Sequence, residues 1–410
     1  MVTTQSIPLE VIDAGVQNTN AGPDFLLSKI KIGETIWVGH VELHLRSSDW
    51  FLHGHHTNPL YDMVVLHVVL DADCDVRNTL GETIPQLQIC IPEHIRQRYE
   101  VLRITAEYPR CYPILSKLSG FEIHSWLSAL LAERLKERLD QIQERLLHLD
   151  NDWNDCLFVT IARNFGFGLN GDAFEQWALS FSLRAVDKHR DSLMQVEALF
   201  FGQAGLLADD SLSMEQQADD YWQALRKEYA YLAHKFGLTP MAHHAWKLLR
   251  TRPHNFPHIR LAQLAYLYHH RAIDLSTLVD CDSLKQVRSL LQTNTSAYWR
   301  NHYAFGVLAD DMHRSITRST QDLLIVNSII PILVAYHRHR LQDESTVLSW
   351  YEDVRPENNR MIRLWQKCKV EPQHAGDTQA LILLKKNYCD RKRCLDCRFG
   401  YYYLSKCDVL

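Results

Sequence analysis

The residues best equipped for chemistry gather near the N-terminus. They are Asp24, Glu42 and His44, with Lys29 and Lys31 between the carboxylates and His40, His53, His55, His56 and His67 close by. Two carboxylates can hold a hard divalent cation such as Mg²⁺ or Mn²⁺, whereas imidazole nitrogens favour Zn²⁺, Fe²⁺ or Mn²⁺. A cation so held lowers the pKa of a bound water and stabilises charge developing on a phosphoryl oxygen. A second group is C-terminal: Cys389, Cys394, Cys397 and Cys407, in the pattern C-x4-C-x2-C-x9-C. A CxxC turn points two sulfurs at one centre, and thiolates bind zinc or an iron–sulfur cluster. Cys111, in the proline-bounded turn 109–113, is an alternative fourth ligand.

The elements that must position these groups follow from periodicity. Residues 38–46 alternate, with Gly39, Val41, Leu43 and Leu45 on one face and His40, Glu42, His44 and Arg46 on the other. Such alternation predicts a half-buried strand with a polar outer face, holding Glu42 and His44 about 7 Å apart. Phe25–Ile32 predicts a preceding strand, and Gly33-Glu34-Thr35 the turn between them. Residues 63–70, apolar and β-branched except for His67, predict a strand covered on both faces. Ser47-Ser48-Asp49 offers N-cap residues for a short helix or turn carrying His53, His55 and His56. Residues 9–12 and 84–91 predict further strands.

The order Pro23-Asp24, hairpin, Glu42-Leu43-His44, short helix, buried strand resembles the PD-(D/E)xK nuclease superfamily. That resemblance implies a restriction-endonuclease-like mixed sheet, metal ligation by Asp24 and Glu42, and cleavage of DNA or RNA. It places His44 where the superfamily has a lysine that assists the attacking water. Lys29 and Lys31, on one face of the first strand, are the candidates to replace that lysine. With the histidines included, the metal set becomes Asp24, Glu42, His55 and His67. A competing reading keeps Glu42 with His40, His44, His53, His55, His56 and His67 as a transition-metal site in a cupin-type barrel. A third is a non-catalytic helical interaction protein with a zinc-stapled tail.

The segments GPDF, GHVELHLRSSDW, HGHH and LHVV, together with the C-terminal cysteines, are similar to an uncharacterised family of bacterial proteins. That likeness carries no activity with it.

Beyond residue 93 the period changes to helical. Residues 121–149 repeat Ile123, Leu127, Leu130, Leu131, Leu135, Leu139, Ile142 and Leu146 against a mixed-charge face, which predicts a long amphipathic helix. Helical patterning continues over 153–202, 214–236, 240–250, 257–271, 283–292, 317–340, 344–351 and 357–370. The whole is therefore expected to be α+β, divided into a β-rich part (1–110), a helical part (111–375) and a cysteine-rich segment (376–410). Arg252 and Arg260 flank the start of one helix at Pro257 and are candidate phosphate contacts. A net charge of −5 gives no global basic field for nucleic acid, so binding would need a local patch. The apolar run 323–336 is interrupted by Asn327, Ser328 and Pro331 and is too short to span a bilayer. With no basic-then-apolar leader, the expectation is a cytoplasmic protein whose thiols serve metals rather than disulfides.

Overall fold

The computed structural model describes residues 1–18, 20–105, 109–208, 212–249, 251–252, 255–270, 273–312 and 314–406. The chain divides into two compact units, Met1–Thr105 and Ala106–Leu410.

The first unit is built on a six-stranded mixed sheet. Its strands are β1 (Leu9–Asp13), β2 (Val16–Gln17), β3 (Phe25–Ile32), β4 (Thr35–Arg46), β5 (Val64–Asp71) and β6 (Gln86–Gln88). They run in the order β1-β3-β4-β5-β6, with β2 also paired to β3. The hairpin β3–β4 is antiparallel, while β4–β5 and β5–β6 are parallel. The first parallel crossover contains only the short helix α1 (Asp49–Leu52) and two 3₁₀ turns, His55–Thr57 and Pro59–Tyr61. The sheet is open, so the barrel of a cupin-type site is not formed.

One face of the sheet carries Leu9, Ile30, Ile32, Val41, Leu66 and Leu87 as a small apolar core. The opposite face carries Glu42, His44, His67 and Gln86, with Glu42 directly beside His67 in the parallel register and His67 beside Gln86. Far from facing solvent, this polar face is covered. The crossover folds over it, so that Trp50 is fully buried and Glu42 is only 6% exposed, while Leu43 and Leu45 on the other face remain exposed. The expectation of a polar outer face is thus reversed at the C-terminal half of β4. Alternation sorts side chains into two sets but does not say which set a neighbouring segment will cover.

Two irregularities set the register around Glu42. In β3 the pairing runs Ser28↔Gly39 and then Phe25↔Val41, so one extra residue is inserted, and Leu27 takes a left-handed φ of 55°. A one-residue slip exchanges the two faces of a strand. The bulge therefore puts Asp24 opposite Glu42 instead of on the other side of the sheet. At Gly39 a Cβ would stand 2.4 Å from the Val65 side chain and 2.6 Å from the Met63 carbonyl oxygen. Only glycine lets β4 approach the start of β5 that closely.

The second unit is helical and contains the main apolar core of the chain. Helix α2 (Glu93–Ile104) closes the first unit, and α3 (Tyr112–Leu115), α4 (Gly120–His148) and α5 (Trp153–Phe165) open the second. A capping box between Ser119 and Glu122 starts α4. The patterned run 153–202 is broken into Trp153–Phe165, Gly171–Leu179, Leu183–Asp187 and Leu193–Gln203. Among the described residues of 240–250 only the 3₁₀ turn His243–Ala245 forms, because Asn170 hydrogen-bonds both the N–H and the carbonyl of Lys247 and holds it out of a helix. The run 317–340 is helical throughout, with a π-turn at Ile325–Ile329 just before Pro331. Among the described residues this is the one helix long and apolar enough to cross a membrane, and 61% of its apolar window is buried inside the protein. Residues 376–406 pack on α4: Tyr388 donates to Glu133 (2.7 Å), Lys406 pairs with Glu122 (2.6 Å) and Arg398 donates to Ser125 (3.0 Å).

Deleting Leu27 should remove the bulge and return Asp24 to the apolar face. The Leu43 amide, which donates to Asp24 Oδ2 at 2.9 Å, would then exchange with solvent about tenfold faster or more, as expected for loss of a charge-assisted bond. Unchanged protection at Leu43 by hydrogen-exchange NMR would show that the bulge does not place Asp24.

Candidate metal centre

The site begins with a pair of strand ends. Asp24, just before β3, meets Glu42 on β4. The Asp24 N–H donates to Glu42 Oε2 (3.0 Å), and the Leu43 N–H donates to Asp24 Oδ2 (2.9 Å). These reciprocal bonds fix one oxygen of each carboxylate and leave Glu42 Oε1 turned toward the histidines. His44, two residues along the same face, places Nε2 3.6 Å from Glu42 Oε1. From the crossover, His55 brings Nε2 to 3.3 Å from that same oxygen. His53 brings Nδ1 to 3.0 Å from His44 Nε2.

His44, His53 and His55 thus present ring nitrogens within 4.8 Å of one another. Around a tetrahedral ion with bonds of about 2.0–2.1 Å, ligand atoms stand about 3.3 Å apart. Three of the pairs, His44–His53, His55–Glu42 and His44–Glu42, stand at 3.0, 3.3 and 3.6 Å, close to that spacing. Among the described residues, buried His55 Nε2 makes no hydrogen bond, Glu42 Oε1 standing 3.3 Å away as an ion-pair neighbour. A buried imidazole nitrogen aimed at a carboxylate and two other imidazoles is what a cation would satisfy. The residues present fit a transition metal better than a hard, oxygen-seeking one.

The surrounding side chains hold this geometry. His67 on β5 is fully buried and sits 2.8 Å, Nε2 to Nδ1, behind His44, so His44 has only Nε2 free to face the centre. Tyr61 stacks on His55 with ring centroids 3.7 Å apart, and Trp50 lies edge-on to both His55 and Tyr61. His53 is exposed, so the centre opens to solvent on one side.

Electrostatics favour the ligating forms of the imidazoles. Burial, reinforced by the neighbouring histidines, lowers His55 to about 4 and lowers His44 as well. Burial, with His44 next in importance, lowers His67 to about 4. Glu42 moves the other way: burial first, then the Asp24 charge, raises it to about 7 against the opposing Asp24 N–H. Without a cation the carboxylate holds a proton near neutrality, in a pocket of neutral imidazoles.

The structure brings together Asp24, Glu42, His44 and His55 of the expected site residues. It adds His53, which the metal set Asp24, Glu42, His55 and His67 had left out, and it places His67 behind His44 rather than among the converging nitrogens. The signal for His53 was its H-x-H spacing with His55 in the turn after Asp49. Lys29 and Lys31 are not brought to the site. The hairpin pairs them with Val38 and Ile36, and Lys29 thus lies four residues, or about 13 Å of strand, from Glu42. His40 is used elsewhere, its Nδ1 accepting from the Leu27 N–H. In the second unit, Arg252 is exposed, whereas Arg260 is buried. Arg260 binds Gln263 and Asn255, lies 4.4 Å over Phe167, and borders a cavity of about 480 Å³ together with Arg314. The four cysteines Cys111, Cys389, Cys394 and Cys397 border a cavity of their own, and Cys407 lies outside the described residues.

The chain belongs to the family described as protein of unknown function (DUF2851), whose sequence profile matches residues 1–360. That span includes the whole of the histidine centre and stops short of Cys389, Cys394 and Cys397. No curated protein and no solved structure matches the chain.

The centre should take up one Zn²⁺ or Mn²⁺ per chain. Metal binding displaces the Glu42 proton, so affinity should rise about tenfold per pH unit up to about pH 7, then level off. Titration calorimetry across pH would read this slope, and Glu42→Gln should abolish it. His67→Ala should weaken binding by about 10–100-fold, the usual cost of freeing a ligand histidine from its support. Full affinity in that variant would mean that His67 does not orient His44.

Proposed function

For this member of the DUF2851 family, we propose a metal-dependent hydrolase acting on phosphodiester bonds of DNA or RNA in the cytoplasm. The observation that carries the reading is the convergence of the His44, His53 and His55 ring nitrogens, with Glu42 Oε1 beside His44 and His55 and Asp24 held next to Glu42. Three imidazole donors, with Glu42 able to bind or to step off the metal and the His53 side open to solvent, suit a centre that keeps a position for water or substrate. A bound cation would supply a water of lowered pKa and charge stabilisation at a phosphoryl oxygen.

The chain's own groups do the rest. His44, His53 and His55 bind as neutral imidazoles. His67 keeps His44 oriented. Asp24 holds Glu42 by its backbone N–H, and its carboxylate stands near enough to raise the Glu42 pKa. Glu42, poised near neutrality, can take a proton from an attacking water or remain as a ligand. The phosphodiester part of the proposal rests on the Asp24–Glu42 pairing across a hairpin next to a parallel strand, the arrangement that the resemblance to PD-(D/E)xK nucleases implied. The histidines shift the preferred cation from Mg²⁺ toward Mn²⁺ or Zn²⁺.

Cleavage of single- and double-stranded DNA and RNA should be measured with Mg²⁺, Mn²⁺ and Zn²⁺ in turn. Activity should depend on Mn²⁺ or Zn²⁺, and Glu42→Gln should lower it by about 100-fold or more, within the range for loss of a general base. His44→Lys separates two roles. If His44 is a ligand, the lysine removes a donor and activity falls; if His44 merely stands in for the lysine of a nuclease motif, activity holds or rises. Cleavage by no metal on any of these substrates would remove the nuclease reading and leave the metal centre for another substrate.

A further inference from the structure

The second unit closes four cysteines around one cavity. Cys111 ends the loop before α3, and Cys389 ends the π-helical turn Leu384–Cys389. Cys394 follows in a loop, and Cys397 immediately precedes the helix Arg398–Lys406. Their common cavity, about 20 Å³, is also bordered by Arg110, Tyr388, Arg393 and Gly400. None of the four is in a disulfide. We propose that Cys111, Cys389, Cys394 and Cys397 ligate a [4Fe–4S] cluster that staples the start of the second unit to its C-terminal helix.

The sulfur spacing selects the cluster over zinc. A tetrahedral Zn²⁺ with bonds of about 2.3 Å requires sulfurs about 3.8 Å apart. Among the described residues, the one group of three or more ligand atoms within 4.8 Å of one another is the histidine group, so these thiols are set wider than a single ion needs. They are nonetheless within electrostatic reach: Cys397, Cys389 and Cys394 all act on Cys111. Four sulfurs spread around one small centre suit a cubane, in which each thiolate binds a different iron.

Burial raises the Cys111, Cys394 and Cys397 thiols above their ordinary range, while the polar groups nearest the Cys394 and Cys397 sulfurs oppose that rise. The backbone N–H groups of Phe399 and Gly400 bear on the Cys397 sulfur, as does the indole of Trp126, whose buried N–H has no nitrogen or oxygen acceptor. The Arg110 guanidinium donates to the Cys389 carbonyl (3.4 Å) and stands beside the Cys394 thiol. Four thiolates around one small cavity, two of them buried, would repel each other if alone. A multi-iron core supplies the compensating positive charge, and binding releases the four thiol protons. Gly400 makes the loop possible: a Cβ there would lie 2.0 Å from the Cys394 carbonyl oxygen.

This site shares no residue with the histidine centre, so either can fail without the other. Full-length protein purified without oxygen, or reconstituted with ferrous iron and sulfide, should contain about four irons and four acid-labile sulfides per chain. It should also show a broad visible absorption that bleaches on reduction. Cys111→Ser should lose most of this iron, while Cys368→Ser, away from the cavity, should keep it. Iron and sulfide in the wild type are read independently of whether Cys111→Ser folds. Stoichiometric zinc without iron, failure of reconstitution, or full iron in folded Cys111→Ser would each overturn the proposal.

Discussion

Everything at the candidate centre depends on a carboxylate kept from water. Glu42 lies on the covered face of the sheet, and its ionisation is resisted by burial and by Asp24. A charge in such a place needs a partner, and among the described residues no lysine or arginine supplies one there. The nearest groups are imidazoles that the same burial keeps neutral. An apolar substitute at Glu42 would suit the fold better than an unpaired carboxylate does. The cost of retaining it is understandable if a cation completes the pocket.

That constraint explains features of the fold that otherwise look like defects. The bulge at Leu27 strains the backbone and interrupts a good hairpin, yet it is what places Asp24 opposite Glu42. Gly39 gives up a side chain in mid-strand and thereby lets β5, with His67, pair closely with β4. The short helix and 3₁₀ turns that replace a long crossover helix carry His53 and His55 over the sheet. They are anchored by Trp50 and Tyr61 rather than by a helix–sheet interface. Local strain and missing regularity concentrate around one pocket, as is usual where a site rather than stability has set the residue choice.

Much of this was legible in the sequence, and the gaps have physical causes. Alternation in β4 put Glu42 and His44 on one face, and the strands 25–32 and 63–70 were visible from composition. Which face would be covered was not visible, because that depends on where the 47–62 segment folds. The bulge was hidden for a different reason: Leu27 is not a residue that signals a left-handed backbone, unlike glycine or asparagine. Lys29 and Lys31 looked available because face was considered without register, and the turn at Gly33-Glu34 pairs them far from Glu42. The cysteine spacing singled out Cys389, Cys394 and Cys397, and Cys111 stood there only as an alternative to Cys407, because its place at their cavity, from a turn nearly three hundred residues earlier, is decided by the fold.

The most direct measurement on the histidine centre is anomalous diffraction from crystals soaked in Zn²⁺ or Mn²⁺, recorded at the absorption edge of the metal. A single peak is expected in the first unit, about 2.0–2.2 Å from a nitrogen of each of His44, His53 and His55 and from a Glu42 oxygen. A peak held by Asp24 and Glu42 alone, away from the three imidazoles, or the absence of any peak in that pocket, would contradict a histidine-ligated centre.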